Sequence, residues 1–401
     1  MFLMSIPPLL KLLGYELPYN LFAVDNPSRM NLILSVILVL FSMGTILGYS
    51  SSKNTNLGAF LLPNYNYDRS DRMTFLGVII LTILSFLVII FPLSESGFNI
   101  VKTIISIRFE GFFYEGLNTL RQFVFFAATI SGAFLVYLFK KRREKEKVSK
   151  IVIWSTIVIF LLNILFSFII GGKSFVVFPL GATLIANEIC RKKINYQRIL
   201  VVFVAISIVV ISLQFFRTKV VADMEISNMD SAYTGLYFVV YDTTLLYIEE
   251  NEKNIETELG EDFLNSFIAI IPRFLWPDKP KAKISAGNRF AQELEPYKEN
   301  PGGKPPYGMA QWYVNFSWFG VFFGGLFTGW LLSLLQEQYS DFRTNPFSFV
   351  IMWHFVFLVM GPWPGGIHNT SLLNYFLYIF PLFIFKWLTN KKLYSAAGLY
   401  K

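Results

Sequence analysis

The stretch Ile271-Pro272-Arg273-Phe274-Leu275-Trp276-Pro277-Asp278-Lys279-Pro280 is followed by Lys281, Lys283 and Arg289, which puts five bases and one acid between residues 273 and 289. The flanking prolines hold the backbone. That lowers the entropy lost when Arg273 and Lys279 close on an anion, and the planar fork of arginine suits a phosphate. Such a cluster also suits anionic lipid heads at a membrane surface. Three further cations, Arg121, Lys173 and Arg217, stand where apolar runs begin or end. Charges beside a bilayer are costly and usually have partners, so cations gathered on one face suit a multiply charged anion such as a lipid diphosphate. Each one alone is equally explained by a side chain reaching from its own helix end to water. Gly171-Gly172-Lys173-Ser174 has the tail of a phosphate-binding P-loop but lacks its leading glycine spacing and preceding strand, so that motif is excluded.

Histidine occurs twice. His368 lies in Gly365-Gly366-Ile367-His368-Asn369-Thr370-Ser371, and an imidazole titrating near neutrality beside Asn369 can accept a proton from a sugar hydroxyl. His354 sits inside an apolar run and reads as an interhelical hydrogen-bonding or packing residue. Tyr233, Tyr237 and Tyr241 recur every fourth residue; with Trp276, Tyr297 and Tyr307 they offer faces for stacking on sugar rings, whereas Trp312, Tyr313 and Trp318 read as an interfacial belt. The carboxylate pairs Asp223 with Glu225 and Glu261 with Asp262 have no histidine beside them, so neither metal nor cofactor is expected. A lone Cys190 excludes an intramolecular disulfide, a thiol-pair redox centre and a Cys-rich zinc site.

The elements that position these groups must be apolar. Of 401 residues, 54% are hydrophobic and 15% charged, against about 25% charged in soluble chains. With 43 Phe and a mean hydropathy of +0.49, the chain has too little polar surface to cover a globule in water. It reads as an all-α polytopic membrane protein. No removable signal peptide is evident in the first thirty residues. Six runs are long enough to span: Met30 to Tyr49, Thr74 to Leu93, Gln122 to Phe139, Ile151 to Ile170, Ile199 to Phe216 and Trp312 to Leu335. Ser174 to Asn187, Phe347 to Trp363 and Thr370 to Phe385 are shorter or interrupted spans. Residues 2–24, broken by Pro7, Pro8, Lys11, Glu16 and Pro18, form either a kinked tenth span or an interfacial segment. The expectation is about ten transmembrane helices.

Basic residues orient them. The run Lys140-Lys141-Arg142-Arg143 belongs in the cytoplasm by the positive-inside rule, and alternation then places Lys53, Arg69, Arg72, Arg191, Arg343 and Lys386 on the same side. The C-terminus is cytoplasmic in this reading. Residues 217–313 face outward and carry ten basic and fifteen acidic side chains, so the net +8 of the chain is −5 there and +13 elsewhere. That distribution is topological and does not suggest a nucleic-acid partner. A segment this long should hold helices of its own, and Ser231 to Glu250 and Leu259 to Ile271 have the pattern. Seven of eighteen prolines then fall between residues 272 and 306, which makes that part loop. The outward segment reads as an insertion in one membrane domain.

Gly260-Glu261-Asp262-Phe263, the apolar run after it, the Pro-Arg, Trp-Pro and Lys-Pro pairs of residues 271–280, and a Gly-rich stretch leading into Tyr313-Val314-Asn315-Phe316 resemble the bacterial O-antigen and oligosaccharide repeat-unit polymerases. The layout is similar over most of the chain, the residue-level likeness over about sixty residues. Members often carry Arg where Lys173 stands and an acid near Gln311, so the sequence departs from the pattern there. The resemblance implies a GT-C-type helical architecture, shared with the O-antigen ligases, in the bacterial cytoplasmic membrane with the large loop periplasmic or extracellular. It implies transfer of a glycan from a polyprenyl diphosphate to the non-reducing end of another lipid-linked repeat unit, metal-independent and inverting. A polyprenyl-diphosphate-linked oligosaccharide is then both donor and acceptor, with membrane lipid and a chain-length regulator protein as further partners. Arg273, Arg217 and His368 take catalytic roles by this likeness; Lys279, Arg121, Lys173, Arg289, Tyr233, Tyr237, Trp276 and Asn369 bind substrate.

Other readings stand beside it. An O-antigen ligase or related lipid-glycan transferase differs in acceptor, and only the Pro-Arg and Lys-Pro loop favours the polymerase. A flippase or transporter of lipid-linked sugars would show charged or discontinuous helices and inverted repeats, whereas these spans are nearly free of charge. A scaffold for an envelope complex has the same composition.

Overall fold

The computed structural model describes residues 25–51, 71–109, 121–170, 173–191, 195–198, 229–254, 306–341, 345–356 and 380–389, with single positions at 200–212, 260–278 and 375. These residues are helical, with no strand among them. The main helices are α1 (Pro27–Ser51), α2 (Asp71–Glu95), α3 (Ile100–Phe109), α4 (Arg121–Arg143), α5 (Lys150–Ile170), α6 (Lys173–Ile189), α7 (Met229–Asn254), α8 (Gly308–Gln338), α9 (Pro346–His354) and α10 (Phe380–Thr389). Five of them, α1, α2, α4, α5 and α8, are long and apolar enough to cross a membrane. The expected spans at 199–216, 347–363 and 370–385 are covered only in part, and residues 2–24 lie outside the described residues.

Caps set several helix starts. Asn26 precedes Pro27 and Asn345 precedes Pro346; their side chains accept the backbone N–H of Arg29 (3.1 Å) and Phe347 (3.1 Å). Asparagine at the cap and proline in the first turn satisfy or remove donors that a helix start leaves open. Asn99 does the same for Lys102 at 3.1 Å, beginning a short helix, α3, between two spans. The chain reaches it through Gly97 and Phe98, both at positive φ.

The helices are built inside out relative to a soluble protein. On α1, Leu32, Val39 and Ile46 lie seven residues apart and are 63%, 59% and 66% exposed, while Asn31 is buried. Helix α2 buries Thr74 and Ser85 and exposes Ile80, Ile83 and Leu87. Helix α5 buries Thr156, Asn163 and Ser167 and exposes Trp154, Val158 and Leu161. In water each exposed Leu or Ile side chain would forgo about 1.5–3 kcal/mol of burial. Hydrocarbon removes that cost. Buried hydroxyls at this depth need internal partners, and they find carbonyls one turn back: Thr45 bonds Phe41, Thr82 bonds Val78 and Ser85 bonds Leu81, each at 2.8 Å. The chain is therefore an all-α, multi-pass membrane protein.

Two compact units divide the chain: residues 1–58, 227–337 and 355–376 in one, and residues 59–226, 338–354 and 377–401 in the other. In the first, α1 and α8 run parallel and nearly touch. A Cβ on Gly44 would lie 2.4 Å from the carbonyl O of Phe322, and one on Gly329 would lie 2.0 Å from that of Thr45. Gly44 and Gly48 on one helix and Gly325 and Gly329 on the other form the small-residue seam that close packing in a membrane requires.

Helix α8 is not the straight span its apolar run suggests. Ser317 has φ 56° and ψ −156°, a backbone region suited to glycine that costs about 1–3 kcal/mol for other residues. Residues 308–316 fold back there: the Trp312 ring comes within 2.5 Å of where a Cβ on Gly324 would sit. Twelve residues along an unbroken helix would separate the two by about 18 Å. The uninterrupted span thus begins after Ser317. Trp312 and Tyr313, expected in an interfacial belt, lie in this turned-back segment, where Tyr313 is buried.

In the second unit α4 is central, with residues 124–136 buried without interruption. Helices α4 and α6 are parallel, from Phe125 against Phe175 (5.1 Å between ring centroids) to Arg143 on the Asn187 side chain (3.1 Å). Helix α5 is antiparallel to α4, with Asn163 beside Ser131. Helix α2 is antiparallel to α4 as well, from Asp71 on Lys141 (2.7 Å) to Ser85 beside the Phe123 carbonyl. Pairing Thr82 with Asn163 and Phe86 with Phe166 makes α2 and α5 parallel.

Substituting Gly329 by Leu should push α8 off α1 and cost well over the 1–3 kcal/mol of ordinary overpacking, because the obstacle is backbone. Gly97→Ala meets no atom within 4 Å and should lose only the positive-φ allowance, about 1 kcal/mol. Thermal unfolding in detergent micelles distinguishes the two; equal losses would contradict the seam.

Candidate functional site

Most of the residues expected to meet substrate fall outside the described residues: Arg217, Arg273, Lys279, Arg289, His368 and Asn369. Arg121 and Lys173 are the first residues of α4 and α6. Because those helices are parallel neighbours, their starts lie together at the end of the second unit remote from Lys140–Arg143. Positions 233 and 237 lie in α7; like Arg121 and Lys173, their side chains are outside the described set. Trp276 is exposed.

In the first unit, helices α1, α7 and α8 are joined by a set of polar contacts. Helix α7, expected from the tyrosine spacing, is pinned to α1 at three levels. Deepest, the buried Tyr241 hydroxyl donates to the side-chain oxygen of Asn31. Burial, and then the Asp242 charge, hold the Tyr241 phenol above its ordinary value, so it remains a donor. Higher up, Glu249 accepts the backbone N–H of Asp25 at 2.8 Å. At the rim, Arg29 pairs with Glu252 and Lys253 with Asp25, at 2.8 and 2.7 Å. The Asp25 carboxylate raises the Lys253 ammonium above its usual range. These rim pairs are exposed and screened by solvent, so they add little to stability. Their value is positional.

Helix α8 joins the same platform. The Tyr307 backbone N–H donates to Thr244 Oγ1 at 2.8 Å, and the Tyr313 hydroxyl donates to Glu252. Residues 306–311 and 313–315 are buried on every side, including Gln311 and Asn315. Asn315 turns its amide back onto the Gln311 carbonyl at 2.8 Å. Phe263 packs on Trp312 and Phe316, with centroids 4.7 and 5.8 Å apart, and Gly260, at φ +85°, approaches Phe316. Both roots of the segment 255–306, which contains Arg273, Lys279 and Arg289, are thus tied to one another through Glu252 and Thr244.

The second unit carries a polar line through its middle. Asn163 donates to Thr82 Oγ1 at 3.0 Å and to Ser131 Oγ at 3.4 Å, linking α5 to α2 and α4. His354, expected as an interhelical residue, is one: its Nε2 lies 2.9 Å from Thr129 Oγ1 and its Nδ1 2.7 Å from the Val350 carbonyl. The carbonyl can only accept, so Nδ1 carries a proton and the threonine closes the bridge from α4 to α9. At the basic end, Asp71 accepts from the Tyr137 hydroxyl (3.0 Å) and from Lys141. Buried Cys190 has its thiol pushed up to about 11 by desolvation.

The sequence did not single out the polar residues that organise both units: buried Asn31, Asp242 and Thr244 in one, buried Ser131 and Asn163 with half-buried Thr82 in the other. The available signal was an amide or carboxylate inside an otherwise apolar stretch. No protein-family profile, curated protein or solved structure matches the chain.

In a double-mutant cycle, Asn31→Leu and Tyr241→Phe should each lower stability, with a coupling of about 1–2 kcal/mol; additive losses would mean the pair does not hold α7. Because the raised Cys190 pKa leaves almost no thiolate near pH 7.5, maleimide should label the folded protein more than tenfold slower than the SDS-unfolded chain. Equal rates would show an accessible thiol.

Proposed function

We propose that this protein is a membrane glycosyltransferase that polymerises lipid-linked oligosaccharide repeat units. The observation that carries the reading is chemical: a proline-bracketed cationic stretch, Arg273 to Arg289, set in a net acidic segment. Its two roots are fixed by α7 and α8. Loop charge by itself orients helices, but cations on the acidic side are left over once orientation is explained. A polyprenyl diphosphate would use them.

In this proposal the acceptor hydroxyl attacks the anomeric carbon of the donor glycan, the bond from that carbon to the diphosphate oxygen breaks, and configuration inverts. His368 takes the hydroxyl proton. Arg273 and Lys279 neutralise the charge that develops on the leaving diphosphate, assistance worth roughly 3 kcal/mol per donor. Arg217, Arg121 and Lys173 are further cations for the anionic substrate, Arg289, Trp276, Tyr233 and Tyr237 line its path, and Asn369 orients the acceptor. Within each unit the helix directions match the alternation that the loop charges require: α1 and α8 run parallel, and α4 is antiparallel to α2 and α5.

A second reading is favoured by one feature. Transporters build their sites on discontinuous helices, and α8 is broken at Ser317. A flippase for lipid-linked sugars would use such a break.

Arg273→Ala and His368→Ala should each abolish long-chain polysaccharide in cells, leaving single repeat units, while the protein still reaches the membrane at normal abundance. Chain-length ladders unchanged in both variants would overturn the polymerase. Purified protein that moves lipid-linked sugar across vesicles without lengthening it would establish the flippase.

A further inference from the structure

Helix α5 carries two buried polar atoms that the described residues leave unpaired. Asn163 and Ser167 are both 0% exposed, and neither the Asn163 side-chain oxygen nor the Ser167 hydroxyl has a hydrogen-bond partner among those residues. The asparagine cannot cure this by turning its amide over. Thr82 commits its hydroxyl proton to the Val78 carbonyl at 2.8 Å, and Ser131 commits its own to the Ala127 carbonyl at 2.7 Å. Both hydroxyls can therefore only accept from the Asn163 amide, which donates to them at 3.0 and 3.4 Å. A flipped amide would set its oxygen against two acceptors. In its present orientation the oxygen faces away from them, and an acceptor buried without a donor is costly.

Ser167 also departs from the habit of its neighbours. Thr82 and Ser85 at 2.8 Å and Thr156 at 2.7 Å each donate to the carbonyl four residues back. Ser167 does not, which leaves the second lone pair of the Asn163 carbonyl to another donor. The two residues stand one turn apart, with about 5–6 Å between their Cβ atoms, and the tilt of Cα–Cβ bonds toward a helix start leans Ser167 toward Asn163. Such a span is too long for one hydrogen bond and suits two. One turn of α5 thus presents two acceptors, the side-chain and backbone oxygens of Asn163, and one donor, the Ser167 hydroxyl. Beyond them Ile89, Val124 and Ile170 pack together and close that side with apolar groups.

We infer that this turn binds a single water molecule, which donates to both oxygens of Asn163 and accepts from the Ser167 hydroxyl. Three bonds are the usual complement of a water buried in a protein. A monovalent cation would meet the same oxygens, but a charge at this depth requires a countercharge. Helix α2 carries its carboxylates, Asp71 and Glu95, at its two ends, and α4 and α5 carry none. Water is neutral and matches the donor as well as the acceptors. With its oxygen held in this way, the Asn163 amide is fixed in the one orientation that bonds α5 to both α2 and α4.

The test is an electron cryomicroscopy map of the full-length chain in lipid nanodiscs, carrying an antibody fragment and resolved well enough to show ordered water. One sample is prepared in sodium chloride and one in choline chloride. A peak about 2.8 Å from both Asn163 Oδ1 and Ser167 Oγ should stand in both maps. Maps that show ordered water elsewhere but none at this position would overturn the inference, and so would a peak that disappears without sodium, which would be a cation. In a double-mutant cycle, Asn163→Leu and Ser167→Ala should be coupled about tenfold in the unfolding constant, although no hydrogen bond joins the two side chains directly. Independent effects would mean that they share no ligand. The maps use the unaltered protein, so a variant that fails to fold does not decide the outcome.

Discussion

Hydrocarbon cannot hydrogen-bond, and both units are organised by that one property of their solvent. Large aliphatic side chains point outward on α1, α2 and α5, and every amide or hydroxyl that turns inward must find a partner in the protein. Hydroxyls on these helices mostly return to the carbonyl one turn back, which makes them nearly neutral to their surroundings. Side chains too long or too polar for that solution become the connectors. Asn31 joins α1 to α7, Asn163 joins α5 to α2 and α4, and Thr129 with His354 joins α4 to α9.

Where no polar pair marks the contact, glycine does. Lipid tails are as apolar as leucine, so burying leucine between two helices gains little, and close backbone approach has to supply the attraction. The α1–α8 seam works in this way through Gly44, Gly48, Gly325 and Gly329. Gly320 and Gly324 serve another face of α8, where they receive Trp312 and Phe316 from the turned-back segment. One helix thus carries two glycine pairs, one for a neighbour distant in sequence and one for its own beginning.

Apolar runs of twenty residues were readable as spans because length and composition suffice, and helix α7 was readable from the recurrence of Tyr233, Tyr237 and Tyr241. The break at Ser317 was not. Neither glycine nor proline stands there, and the conformation is imposed by contacts that residues 308–316 make elsewhere. Pairings such as Asn31 with Tyr241 were equally hidden, since a lone asparagine in an apolar run announces a partner without naming it. For the candidate site, residue type was legible: Arg273 and Lys279 stand out against an acidic background. Position was not, because proline-rich loops take their course from the elements that root them, and those roots, Thr244 and Glu252, are ordinary residues in the sequence.

The bond between Asn31 and Tyr241 spans 210 residues of chain. At a synthesis rate of about 5–20 residues per second, α1 enters the membrane some 10–40 s before that partner exists. The glycine seam waits longer still. Throughout that interval an amide and two bare glycine notches face lipid, or whatever protein shelters them, while the helices of the second unit arrive and pack. The helix made first therefore waits for its partners until α2 to α6 have been made, and a membrane chaperone or insertase vestibule would find its most exposed client surface on α1.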